Sequence, residues 1–210
     1  MKSLPHMAIA ALLLASAAVA HGFPQDAAPS DNTTVQPFRE GWKGLRVLHI
    51  GDSHLENWGL KGTLRRHFEG AGATYTPSAW VGSNSRGWLV TGRLSQLLRK
   101  TTPDVVIVNL GTNALKHPKP SSYGVWVKRM VARIAPRRCY WIGPPRFFED
   151  TAGVYPVLQE TSRPCAFFDS RDIDFNLRGV TNFHLSRNQS TLWADRIWEW
   201  LNRPEAAGGL

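Results

Sequence analysis

An α/β fold, with a five-stranded parallel sheet covered by helices on both faces, is what this sequence predicts, and two observations carry the prediction. Strand-like and helix-like runs alternate from Leu45 to Leu201, and the run Val105 to Leu110 is apolar at nearly every position, as a strand covered on both sides must be. At 210 residues the chain suits one domain with a core of its own.

In order, Leu45 to Ile50 reads as a strand and Leu60 to Glu69 as a helix, stopped by Gly70-Ala71-Gly72. Thr74 to Trp80 is a shorter strand, Leu94 to Lys100 a helix, and Val105 to Leu110 the central strand. Tyr123 to Ile134 carries apolar residues at helical spacing. Two aromatic-rich strands then open at cysteines, Cys139-Tyr140-Trp141-Ile142 and Cys165-Ala166-Phe167-Phe168. A last helix, about Ser190 to Leu201, offers Leu192, Ile197, Trp198 and Leu201 for burial. In such a fold the crossovers are right-handed, which brings the C-terminal ends of the strands to one edge. Ser53, Gly82, Asn113 and, after a loop, His184 all follow predicted strands, so the topology gathers them there.

Residues 1–20 have the form of an export signal: Lys2, an apolar run from Met7 to Ala15, and small residues ending in Ala18-Val19-Ala20. Cleavage is expected before His21. The apolar run is shorter than the roughly 20 residues a spanning helix requires, so no membrane span is expected after signal removal. Residues 21–43 are rich in Pro, Ala, Asp, Asn and Thr without apolar period and read as a linker or loosely docked arm; 44–202 form the domain and 203–210 a flexible tail. Export implies a periplasmic or secreted location, an oxidising space in which Cys139 and Cys165 are a candidate disulfide if their strands are parallel neighbours in register. Closing that loop would contribute about 3 to 4 kcal/mol in the chain-entropy model.

The formal charge is +9, and loss of Lys2 with residues 1–20 leaves +8. Such a balance favours anionic partners. With no nucleic-acid-binding motif in the chain, an anionic envelope polysaccharide is the expected class. Arg65-Arg66 and Arg137-Arg138 read as solvated faces.

The block Gly51-Asp52-Ser53-His54 stands where the first strand ends, a place from which a serine can project its hydroxyl at the open edge of a sheet. Farther along come Val81-Gly82-Ser83-Asn84-Ser85, with Gly87 a competing glycine, then Gly111-Thr112-Asn113, then Asn182-Phe183-His184-Leu185-Ser186 before the last helix. In these four ordered blocks, spread over about Leu45 to Leu201, the chain resembles the SGNH/GDSL hydrolases, in a Gly-Asp-Ser-His variant similar to envelope carbohydrate esterases. The resemblance implies a three-layer α/β/α, flavodoxin-like fold and ester hydrolysis without metal or organic cofactor. It implies Ser53 as nucleophile and His184 as base, with the N–H groups of Ser53 and Gly82 and the side-chain amide of Asn113 receiving the oxyanion. A metal site from His49, Asp52 and His54 is disfavoured, because strand alternation points the histidines away from Asp52 and Ser53.

One departure from the family pattern concerns the orientation of His184. The pattern is usually Asp-x-x-His, yet Thr181 occupies the acidic position, so Thr181, a backbone carbonyl, or Asp172 or Asp174 from the preceding loop would have to orient the imidazole. Trp58 and Trp88 are candidates to stack on sugar rings, and Lys116 and Lys119 to attract an anionic glycan. The expected function is an exported serine esterase acting on acyl, foremost acetyl, esters of a cell-envelope or extracellular polysaccharide. Two alternatives stay open: a catalytically silent module that binds an anionic envelope polymer, and an O-acyltransferase.

Overall fold

Five short runs pair edge to edge, all parallel, in the order β2-β1-β3-β4-β5: β1 (Arg46–Gly51), β2 (Thr74–Ala79), β3 (Val105–Asn109), β4 (Arg138–Ile142) and β5 (Ala166–Phe168). The computed structural model describes residues 41–115, 119–147, 150, 152–177, 183–204 and 206. The helices are α1 (Ser53–Glu56), α2 (Trp58–Gly70), α3 (Ser85–Val90), α4 (Arg93–Thr101), α5 (Pro120–Ile134), α6 (Val154–Thr161) and α7 (Arg187–Leu201). This is the predicted five-stranded parallel α/β sheet.

Alternation along the strands divides the core into two layers. Val47, Val105, Ile107, Tyr140 and Ile142 face Leu60, Leu64 and Phe68 of α2 and Trp193, Ile197 and Leu201 of α7. Leu48, Ile50, Val106, Val108 and Trp141 face the other way, onto Trp88 of α3, Leu94 and Leu98 of α4, and the buried stripes of α5 and α6. Because β1 is flanked by β2 on one side and β3 on the other, the chain leaves the sheet in opposite directions at the β1/β3 boundary. The loops after β1 and β3 therefore border the crevice in which open α/β sheets bind ligands.

Cys139 and Cys165 are disulfide-bonded, with Cα atoms 4.6 Å apart. The register explains why, since β4 and β5 pair Tyr140 with Ala166, which sets the two preceding residues side by side.

Three sequence expectations need correction. Trp42, placed in a linker or loosely docked arm, is buried: it packs on Phe68, Tyr140 and Trp198 and its indole N–H donates to Asn202 Oδ1 at 2.9 Å. Its large apolar area docks this segment, so the domain begins no later than the described Gly41. Ala206, placed in a flexible tail, is buried in the same layer. On α7, which starts at Arg187 and is capped by Ser186, Leu192 is 37% exposed, and the burial that Leu192 was expected to supply comes from Trp193 and Ala194, because these share the i, i+3/i+4 stripe of Ile197 and Leu201 and Leu192 does not. The export signal at residues 1–20 and most of the arm lie outside the described residues, and no helix among the described residues is long and apolar enough to cross a membrane.

Candidate active site

At the end of β1 the chain turns sharply. Asp52 caps a single helical turn by accepting the backbone N–H of His54 at 3.0 Å, and this makes Ser53 the first residue of α1. The placement puts the serine at the strand C-terminus, half-buried, with its hydroxyl at the sheet edge. On the opposite wall of the crevice, Ser186 and Gln189 form a capping box that begins α7. His184, exposed and two residues before that cap, is held close because Asn57 Nδ2 donates to the carbonyl of Leu185 at 3.0 Å. The outcome is a contact across 131 residues of sequence: Nε2 of His184 lies 2.8 Å from Oγ of Ser53. With the ring proton on Nδ1, Nε2 is an acceptor for the hydroxyl proton, the arrangement that activates a serine.

The other two blocks meet on the far side of Ser53. Gly82 lies in the turn closed by the Ser83 N–H donating to the Trp80 carbonyl, with φ +72° and open space where a side chain would project. Asn113 sits in a 3-10 turn after β3; its Nδ2 donates to the Ser83 carbonyl at 2.9 Å and lies 3.5 Å from Asp52 Oδ2. One amide therefore ties together the residue after Gly82, the residue before Ser53 and the end of β3. Gly82, Asn113 and His184 are all exposed, so the site is open to solvent rather than a deep pocket.

Two buried titratable groups lie behind this rim. Burial pushes the Asp52 carboxyl up to about 7, against the backbone hydrogen bonds that favour its charged form. Burial pushes the His54 imidazole down to about 3, with the charge of His184 acting in the same direction and a hydrogen bond with the Phe183 backbone opposing. His54 stacks on Phe147, meets Trp193 edge-on, and lies 5.4 Å from the His184 ring, centroid to centroid. Sequence reasoning did not place His54 among these rings, because Phe147 lies in a loop with no period to read and Trp193 comes from α7, far along the chain.

The comparisons with known proteins agree with the fold. No protein-family profile and no curated protein sequence matches the chain. Among solved structures, an acetyl xylan esterase superposes with a TM-score of 0.63 at 14% identity, covering 75% of this chain and 100% of the other. An acetylxylan esterase from Geobacillus stearothermophilus, crystallised as a catalytic mutant, gives 0.60 at 14% identity over 78% and 96%. A psychrotrophic esterase from Pseudoalteromonas sp., inhibited by monoethylphosphonate, gives 0.57 at 18% identity over 75% and 99%. The chain has the fold of these esterases, a five-stranded parallel sheet between two layers of helices.

Within that fold the remaining expectations divide. Trp88 is fully buried and donates its indole N–H to Ser83 Oγ at 2.9 Å, so it supports the Gly82 loop from beneath and presents no face to a sugar. The sequence signalled an indole near the site but not that α3 would turn it inward. Trp58 is 67% exposed, with Lys61 Nζ 5.2 Å from its ring centroid. Asp172 and Asp174 line a groove along the second half of α7, between Leu192 and Arg203, and Asp174 accepts the backbone N–H of Asn176 at 2.8 Å. Thr181, the third candidate for orienting His184, and Lys116 lie outside the described residues. Among the described residues no group of three or more His, Cys, Asp and Glu is arranged to hold a metal ion, and His49, taken in the sequence with Asp52 and His54, instead bonds Tyr75 Oη at 2.7 Å through Nδ1.

Proposed function

We propose that the chain is an exported serine esterase that removes short acyl groups, acetyl foremost, from a cell-envelope or extracellular polysaccharide. The single observation carrying the reading is the 2.8 Å contact between Ser53 Oγ and His184 Nε2. In the reaction, Ser53 Oγ attacks the ester carbonyl while His184 takes its proton. Negative charge then collects on the carbonyl oxygen, opposite the Ser53 and Gly82 N–H groups and the Asn113 amide. His184 returns the proton to the departing sugar hydroxyl, leaving an acyl group on Ser53. A water, deprotonated by the same imidazole, releases it as the acid.

An open rim suits an ester carried on a bulky polymer, and the exposed Trp58 is available to a sugar face. The esterase descriptions of the structural neighbours support the same class of substrate. The formed Ser53–His184 contact favours turnover over the silent binding module. Hydrolysis of a chromogenic acetate ester and release of acetate from acetylated xylan are the expected activities. Both should fall to background in Ser53→Ala and in His184→Ala. Folded wild-type protein that turns over neither substrate would overturn the proposal.

A further inference from the structure

Positive charge is concentrated in one stretch of this chain. Between Ala71 and Phe147 there are twelve Lys and Arg and a single acidic residue, Asp104, so this third of the sequence carries a net +11 while the remainder carries −2. Asp104 is engaged with Arg46, its carboxylate accepting from the backbone N–H and the guanidinium fork of Arg46 at the start of β1. The fold gives the asymmetry a direction. Residues 71–147 build α3, α4 and α5, which cover the face of the sheet opposite α2 and α7. None of these three helices contains a carboxylate. The fourth helix on this face, α6, carries Glu160, so the excess of positive charge belongs to α3, α4 and α5; self-repulsion among them is a cost, and binding of an anion relieves it.

A groove of about 530 Å³ opens on that face between α3 and α5, lined by Leu89, Val90, Trp126, Arg129, Ala132 and Arg133. Its indole is already engaged by cations: the Arg129 guanidinium lies 4.8 Å from the Trp126 ring centroid and that of Arg86 lies 5.6 Å away. Stacking on an aromatic ring orients a guanidinium and leaves its N–H edge free to fork a carboxylate. Arg129 and Arg133, one helical turn apart on α5, are about 6 Å from each other along the axis. Since α3 and α5 both begin at the catalytic edge of the sheet, the groove leads away from the loop of Gly82 and Asn113 rather than into it.

We infer that the α3/α5 groove, with Trp126, Arg129 and Arg133 at its centre and Arg86 at its upper end, is a docking site for an acidic polysaccharide whose sugars bear carboxylates. Charge complementarity selects an anionic occupant. The choice of a glycan rests on the hydrolase reading above and on shape: a concave channel receives a chain, whereas a bilayer calls for a protruding apolar surface, and stacked bases need ring faces that the two arginines already cover. The site holds a polymer on the flank of the domain while its esters are presented to the rim.

The test is retention of the full-length protein on immobilised polygalacturonate, which bears carboxylates and no ester, so binding is read without turnover. Wild type should bind and should be released near 1 M salt, where screening acts within about 3 Å. Arg129→Glu with Arg133→Glu should weaken binding at least about tenfold, since two charge-assisted contacts are reversed. Trp126→Ala should weaken it by a smaller factor. Arg65→Glu with Arg66→Glu, the same charge change on α2, is the control and should alter binding less than about twofold. Thermal midpoints of all variants establish that each is folded. Equal loss in the control would reduce the effect to net charge and overturn the site. Retention by phosphatidylglycerol vesicles or single-stranded DNA in preference to polygalacturonate would overturn the ligand. A chain that binds through the groove but has no esterase activity would sink the hydrolase reading and leave the docking site standing.

Discussion

The amide of Asn113 has two hydrogens and three claims on them. One is committed to the Ser83 carbonyl at 2.9 Å; the other points toward Asp52 Oδ2 across a long 3.5 Å, a contact weak enough for a developing oxyanion to displace. Asn113→Ala should therefore lower kcat on an aryl acetate by about 10²- to 10³-fold with little change in KM, the loss typical of one oxyanion donor. Steady-state kinetics checks it. A variant with unaltered kcat and a lowered thermal midpoint would make Asn113 a loop tie and nothing more. At this scale the sequence narrowed the candidates where chemistry restricts residue type: the roles of nucleophile, base and amide donor proposed for Ser53, His184 and Asn113 admit few substitutes, and the fold brings the first two within 2.8 Å of each other. It was not readable where packing decides. Trp88 and Trp58 are the same residue near the same site, yet one is wholly buried and the other 67% exposed, and no local pattern separates them.

Helices α2 and α7 approach so closely that a side chain on Gly59 has no room. A Cβ there would stand 2.2 Å from the Arg187 carbonyl oxygen and 2.8 Å from Ser190 Cβ. Both obstacles belong to the first turn of α7, the turn that follows His184. Gly59→Ala is expected to push the two helices apart, to destabilise the fold by about 1 to 3 kcal/mol, and to displace the base from the serine. Since a shift of about 1 Å in a reacting group costs up to about 10²-fold, kcat should drop by tenfold or more while the protein stays folded. Chemical denaturation together with kinetics on the same preparation tests both halves, and unchanged kcat would show that α7 does not carry the base. The strands were legible because apolar runs and their spacing mark them. Three helices were not: α1, α3 and α6 have four, six and eight residues, too short for a helical period, and α6 carries Pro156 in its first turn, where proline is tolerated in a helix but reads as a loop.

Across the whole molecule the buried ionisable groups set the response to acid. His49 and His54 are held neutral down to about 3, so an unfolded chain binds two protons below its histidine range of about 6.5 that the folded chain refuses. Asp52 acts oppositely: its folded carboxyl keeps a proton up to about 7, which the unfolded chain has lost above about 4. Between these limits the unfolded state holds about one proton more, so stability should rise with pH by about 1.4 kcal/mol per unit from roughly pH 4.5 to 6. Above about pH 7 the two states hold nearly equal numbers of these protons and the profile should level off. Urea unfolding at a series of pH values measures the slope, and a flat profile over that range would contradict the burial of the two imidazoles. Net charge was readable from composition, but its gathering on one layer was not, because only the strand order reveals which helices share a face.

Cys139 and Cys165 join the sheet where β4 and β5 begin, at the end of the strands remote from Ser53 and His184. Opening this cystine enlarges the freedom of the unfolded chain and leaves the reacting atoms where they stand. Durability and reactivity are thereby assigned to opposite poles of one sheet, and selection can adjust either without disturbing the other.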